Sequence, residues 1–471
     1  MIHPKSNLKT LYLDKRRSLI FILFTVIIGS SFYYNETFAL DKIDKKSSLN
    51  SSQLLQITSE NNKTLESEPL FSNITNITNN PTDSVYAQIV ADDNNIYMIW
   101  QESVTQNPQE KNYDIFFTKS EDNGNTFSKP INLSNNPGFS EHPQIAVSKN
   151  GVFIVWADNT NSNNTEIMFT KSEDKGTTFS KVINLSNNLQ NSNNQEISAF
   201  NENVYVVWQD IDSTTTNFYG NEINKAEKKP LTNIMFKASL DTGKTFKDSI
   251  ELANNTNDAY PKVNSYKEHV YVTWNSENSN SSSENDDNDQ NSGLFFIKSS
   301  DKGNNFENSI RIAHYNFGES QISVDENKVF IVWGGLHAKN INDIYFVQSD
   351  DNGTTFTDPY IISEKSIGAA ENRNNIDKIK SPSNVEIPTN TPTYVVWQDK
   401  ISQENQDIFI TTNIKNDMQY DKILNLSNNS RISECPSIAI SNNHIYIVWE
   451  DITPGNHEIL FTRGTIPENN S

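Results

Sequence analysis

The chain has 471 residues, with 38 Lys and Arg against 59 Asp and Glu, a formal net charge of −21. That balance excludes binding through neutralised phosphates, so no nucleic-acid partner is expected. The single cysteine, Cys435, excludes an internal disulfide framework and any multi-cysteine metal centre.

At the amino terminus Lys5, Lys9, Lys15, Arg16 and Arg17 precede the apolar run LIFILFTVIIG at 19–29. A charged stretch followed by an apolar one of this length has the form of an export signal. The small residues Thr37 and Ala39 place cleavage after Ala39; left uncleaved, residues 19–34 are marginally long enough for a membrane tether. Residues 1–39 therefore read as a signal peptide or signal anchor. Residues 40–69 are polar and without periodicity, and read as a linker. The expected location is extracellular or cell-surface, with the folded part at 70–464 and a short tail at 465–471.

From residue 70 onward the sequence repeats. All seven tryptophans end one recurring strand: NIYMIW at Trp100, VFIVW at Trp156, VYVVW at Trp208, VYVTW at Trp274, VFIVW at Trp333, TYVVW at Trp397 and IYIVW at Trp449. These β-branched, aromatic runs carry no helical period and read as buried strands. Each has a short strand before it, such as PQIAVS at 143–148, and two after it, such as YDIFFTKS at 113–120 and FSKPINLS at 127–134. Four antiparallel strands at a repeat of 52 to 66 residues describe propeller blades. The segment FSNITNITNN at 71–80 looks like a fourth strand without its blade, and EILFTRG at 458–464 like a third strand without a successor. Joining them closes a ring with no free edge there. The fold class is all-β: a seven-bladed β-propeller closed by its N-terminal strand. Six blades are the alternative, with the Trp397 unit outside the ring.

Five units carry S-x-D-x-G-x-[TN]-F between third and fourth strands, centred on Asp122, Asp174, Asp241, Asp301 and Asp351. The Asp can accept backbone N–H groups of its own turn, the Gly supplies positive φ, and the Phe anchors the hairpin between blades. With these motifs the chain resembles the sialidase-like superfamily of Asp-box (BNR-repeat) β-propellers, over about residues 71–463. The resemblance implies that the boxes are structural and lie opposite the ligand face. Calcium is the minor alternative there, since each box offers one carboxylate where calcium takes six to eight oxygens; no other cofactor is expected.

The same resemblance implies an arginine triad, a Tyr–Glu nucleophile pair and an Asp acid/base. The propeller has only Arg311, Arg373, Arg431 and Arg463, and only Arg373 and Arg431 fall on the expected face, so the triad cannot be placed. What recurs on that face is acid. Asp83, Glu141, Asp258, Glu319 and Glu434 stand at the starts of innermost strands, near the channel mouth. With Arg373 and Arg431 they are the candidate ligand residues. A rim of this kind could bind a divalent cation or a cation-bridged polysaccharide. Further acids follow the tryptophans (Glu102, Asp158, Asp210, Asp399, Asp451) or open third strands (Asp114, Glu166, Asp343, Asp407, Glu458). These are expected to cap strand ends, accept loop N–H bonds and solubilise the surface. His142, His314, His337 and His457 share the face without metal-ligand spacing. The functional expectation is a monomeric, non-catalytic surface module that binds extracellular glycan, an envelope polymer or a surface protein. The alternative is a glycoside hydrolase of the exo-sialidase kind.

Overall fold

The computed structural model describes residues 70–105, 112–160, 164–211, 231–256, 259–276, 292–314, 319–337, 341–361, 381–386, 393–402, 404–414 and 423–466. The putting together of these segments gives seven antiparallel sheets, each with a tryptophan strand in second place. Blade 1 comprises Ser84–Asp92, Asn95–Ser103, Tyr113–Ser120 and Ile131–Asn132. The Trp397 unit is a complete blade 6 of Ser381–Glu386, Thr393–Lys400, Gln406–Ile414 and Ile423–Asn425, so the ring has seven blades and not six. First strands of neighbouring blades pack side by side all round, blade 7 against blade 1 included.

The ring closes through the N-terminal segment. Leu70–Phe71 and Thr75–Asn76 pair with Glu458–Thr465, the third strand of blade 7. The apolar cores lie between blades: Tyr97, Ile99, Ile115 and Phe117 of blade 1 pack on Ile154, Trp156 and Met168 of blade 2. All seven tryptophans are at most 3 % exposed. Burying about 200 Å² of each gives a gross hydrophobic gain of roughly 5 kcal/mol per blade.

The five Asp boxes are inter-blade clamps. In blade 2, Ser172 Oγ donates to Asp174 Oδ1 at 2.7 Å, while the Thr178 N–H and hydroxyl donate to the two carboxylate oxygens at 2.8 and 2.6 Å. Gly176, at φ +73°, lies over Phe117 of blade 1; a Cβ there would sit 2.5 Å from the ring. Phe179 meets the same ring edge-on at 4.9 Å. The pattern recurs at Asp122, Asp241, Asp301 and Asp351, whose following Phe residues meet Phe461, Phe169, Phe236 and Phe296 of the preceding blade.

Two boundaries differ from the sequence reading. The fourth strands are short, such as Ile131–Asn132 and Ile183–Asn184, where eight residues were expected. Pro130 has no N–H for a ladder, and Ser128 ties the preceding segment to Lys119 instead. The first strands start earlier, at Ser140 and Ser433, and absorb the buried Pro143 and Pro436 in β-bulges. A bulge is one of the few strand positions that proline tolerates.

Candidate ligand site at the channel mouth

Every described acid that follows a tryptophan in blades 1, 2, 3 and 7 is committed to the frame. Trp156 Nε1–H donates to Asp158 Oδ2 at 3.2 Å, Ser140 Oγ to the same oxygen at 2.8 Å, and Asn136 Nδ2 at 2.7 Å. Trp208–Asp210 and Trp449–Asp451 repeat this arrangement, and Trp100–Glu102 is its longer version. The acids at third-strand starts bind the N-[LI]-[ST]-N-N segment. Asp114 accepts from Asn132 Nδ2 at 2.6 Å and Ser134 Oγ at 2.9 Å, and Asp407 from Asn425 and Ser427. Glu458 receives the Asn80 N–H at 3.0 Å and the Thr78 hydroxyl, so the closing strand is read in the same way as the others. Asn136 thus links the networks of blades 1 and 2. Capping and N–H acceptance hold for these acids, while the Asp343 side chain lies outside the described residues. Solubilising the surface does not: Asp158 is 2 % and Asp451 0 % exposed.

The mouth itself is shaped by the bulges. In blades 1, 2, 3 and 7 the first strand shifts register just after its start, between Val85 and Gln88, Glu141 and Gln144, Asn193 and Glu196, and Glu434 and Ser437. Each bulge places one residue in the left-handed region, at Tyr86, His142, Asn194 and Cys435. The residue after a tryptophan in one blade then holds the bulge N–H of the next. Gln101 Oε1 accepts from His142 N at 2.8 Å, and Gln398 Oε1 from Cys435 N at 2.6 Å. At the closing seam a carboxylate takes this place: Glu450 Oε1 accepts from Tyr86 N at 2.6 Å.

Glu450 is buried, and it is paired directly across the strands with Glu434. His457 lies beside them, with Nδ1 3.7 Å from Glu450 Oε2, an ion-pair distance and not a hydrogen bond. The Glu450 carboxylate raises the imidazole pKa against the opposing effect of burial. Donor atoms of Glu434, Glu450 and His457 all lie within 4.8 Å of one another. Asp83 adjoins this group, its Oδ1 accepting the His457 N–H at 3.4 Å. Tyr86 stands at the rim, 41 % exposed, edge to face with His142 at 4.5 Å. Desolvation, then Cys435, Glu450, Glu434 and Glu141, raise the phenol pKa. Burial, then Glu450, Glu434 and Glu319, push the Cys435 thiol well above its ordinary value.

Below the mouth is a central cavity of 240 Å³ lined by Gln88, Gln144, Glu196, Lys262 and Gln321. Lys262 Nζ lies 3.0 Å from Glu196 and 3.5 Å from Glu319. Burial opposes its charge, but the two carboxylates outweigh it and hold the pKa above the ordinary lysine value.

Of the candidate ligand residues, the structure gathers Asp83 and Glu434 at the closing seam and places Glu141 next to His142 on the neighbouring blade. Glu319 is drawn to Lys262. Arg431 is exposed in the loop before blade 7, donating to the Ile452 carbonyl at 3.3 Å. Asp258 and Arg373 lie outside the described residues. Arg311 and Arg463 belong to outer strands. Sequence reasoning did not single out Tyr86, Glu450, Glu196 or Lys262. A position-by-position comparison of the repeats marks Glu450, because it stands where Gln101, Gln209 and Gln398 stand in other blades.

The molecule is a seven-bladed β-propeller with Asp-box clamps and an acidic, aromatic channel mouth. Solved structures similar to it include a Dyadobacter fermentans protein of unknown function, at 11% identity and TM-score 0.49, covering 85% of this chain and 100% of that one. Another is the Trypanosoma rangeli sialidase, at 11% identity and TM-score 0.44, covering 81% of this chain and 55% of the sialidase. A third is the phage phi92 endosialidase, at 12% identity and TM-score 0.45, covering 85% and 70%. The chain thus spans about half the length of the trypanosomal enzyme. No protein-family model and no curated protein matches the sequence.

Proposed function

We propose that the chain is an exported, cell-surface β-propeller that binds glycan at the mouth of its channel without cleaving it. The observation carrying this reading is the exposed Tyr86 ring, held against His142 and flanked by Glu141 and Glu434. An aromatic face offers an apolar platform for the C–H side of a sugar, and carboxylates accept its hydroxyls. The raised pKa of Tyr86 also supports binding over turnover, since a tyrosine nucleophile must give up its proton. A net charge of −21 disfavours a sugar acid as ligand. Export and surface location rest on residues 1–39, which lie outside the described part; among the described residues no helix is long and apolar enough to cross a membrane.

One observation favours a second reading, a glycoside hydrolase: Glu434 and Glu450 form a close carboxylate pair, the arrangement that retaining glycosidases use. A glycan array probed with the full chain, run beside a panel of fluorogenic glycosides, separates the two. Binding of neutral glycans with no glycoside turnover is expected. Turnover abolished by Glu434→Gln would establish the enzyme, and neither binding nor turnover would remove both readings.

A further inference from the structure

We infer that Glu434, Glu450 and His457 form a binding site for one first-row divalent metal ion of the zinc or manganese type. The inference concerns the same mouth but does not depend on the glycan reading. It starts from the repeat. The residue after the tryptophan needs only an acceptor for the next blade's bulge N–H, and Gln101 and Gln398 supply it as neutral amides. Blade 7 performs the same task with Glu450, adding a negative charge at a position 3 % exposed. Burying a charge is costly without a partner, so the frame alone gives no reason for it.

The surroundings deepen the cost. Glu434 is the direct cross-strand partner of Glu450, and like charges in that relation are destabilising. The third group is a neutralising ligand type: His457 Nδ1 is buried, has no hydrogen-bond partner, and stands 3.7 Å from Glu450 Oε2. Two anionic oxygens and a ring nitrogen converge from three separate backbone positions, on two strands and the hairpin loop joining Glu450 to the third strand. With donors no more than 4.8 Å apart, their common centre lies at most about 2.8 Å from each. A formed site needs about 2.0–2.2 Å, so side-chain shifts below about 1 Å complete it.

The ligand set selects the metal. Imidazole with carboxylates suits zinc, manganese and their neighbours, whereas calcium prefers six to eight oxygens. Three protein ligands leave coordination positions open, and Tyr86 and Asp83 adjoin the group.

The test is calorimetric titration of the full chain, stripped with chelator, against Zn²⁺, Mn²⁺ and Ca²⁺, with metal content after dialysis read by mass spectrometry. Glu450→Gln is the decisive variant, because glutamine keeps the acceptor for Tyr86 that other blades use and removes only the charge. The wild type should bind one equivalent of Zn²⁺ or Mn²⁺ in preference to Ca²⁺. Glu450→Gln and His457→Ala should each weaken binding at least about tenfold. Absence of stoichiometric binding, preference for Ca²⁺, or equal affinity in Glu450→Gln would overturn the proposal, the first leaving a protonated His457 as the partner of the two carboxylates.

Discussion

Glu450 Oε1 accepts the Tyr86 backbone N–H at 2.6 Å, across the seam where the last blade meets the first. The same bond, made by glutamine, joins blade 1 to blade 2 and blade 6 to blade 7. One structural task is therefore shared by several seams, and one seam carries an additional charge.

Glu450→Gln should be at least as stable as the metal-free wild type, because the acceptor survives and a buried charge facing Glu434 is removed. Glu450→Ala should lie about 0.5–1.5 kcal/mol below Glu450→Gln, since the Tyr86 N–H loses its acceptor. Chemical denaturation of the two variants checks this. Equal stabilities would mean that the seam does not rely on the bond.

Gly176→Ala tests the Asp-box clamp. Its Cβ would lie 2.5 Å from the Phe117 ring and the backbone is at φ +73°, so strain and overlap act together. A loss of about 2–4 kcal/mol is expected. Gly455 also has positive φ, at +129°, but nothing lies within 4 Å of a Cβ there. Gly455→Ala should therefore cost less, and thermal unfolding of the pair compares them.

The boxes also give a pH dependence. The side-chain and backbone N–H groups of Asn305 hold the Asp301 carboxyl down at about 2. Asp174 and Asp351 are lowered further, by Thr178 and Thr355. A folded value below the unfolded one means that the contribution is complete above about pH 4 and is lost as pH falls towards 2. Glu102 and Asp210, raised by burial, slope the opposite way. The box contribution is thus read from a difference: unfolding of Asp301→Asn should depend less steeply on pH between 4 and 2 than the wild type.

Closure rests on the N-terminal strand. Phe71 packs in the blade 7 core, and Thr78 and Asn80 satisfy Glu458. A chain beginning at Asn80 loses Leu70–Phe71 and Thr75–Asn76 and exposes the edge of Glu458–Thr465. Hydrogen exchange should accelerate across that strand first, well before the strands of blade 3.

Much of the fold is legible because one residue type does one job seven times. A tryptophan ends each second strand, and the Ser-x-Asp-x-Gly hairpin needs its Asp, Gly and Phe for reasons visible in the motif itself. The mouth is less legible. A bulge sets two residues against one and turns the side chains that follow to the other face, so adjacency around Tyr86 and Cys435 does not follow from strand alternation. Asp83, Glu141 and Glu434 are recognisable as strand-start acids, yet Asp83 reaches His457 only through ring closure between distant chain ends, and Glu434 through strand pairing within blade 7. Glu450 was hidden for another reason. It stands between a tryptophan and the recurring acid Asp451, and only the glutamines of other blades mark it as a departure.

The central claim is that the Tyr86 rim is a glycan-binding surface. The most direct measurement is the affinity of the full chain and of its Tyr86→Ala variant for a neutral glycan retained on the array. The account predicts a loss of at least about tenfold with unchanged thermal unfolding, as a stacking platform worth more than about 1.4 kcal/mol disappears. Equal affinity of the two proteins would contradict it.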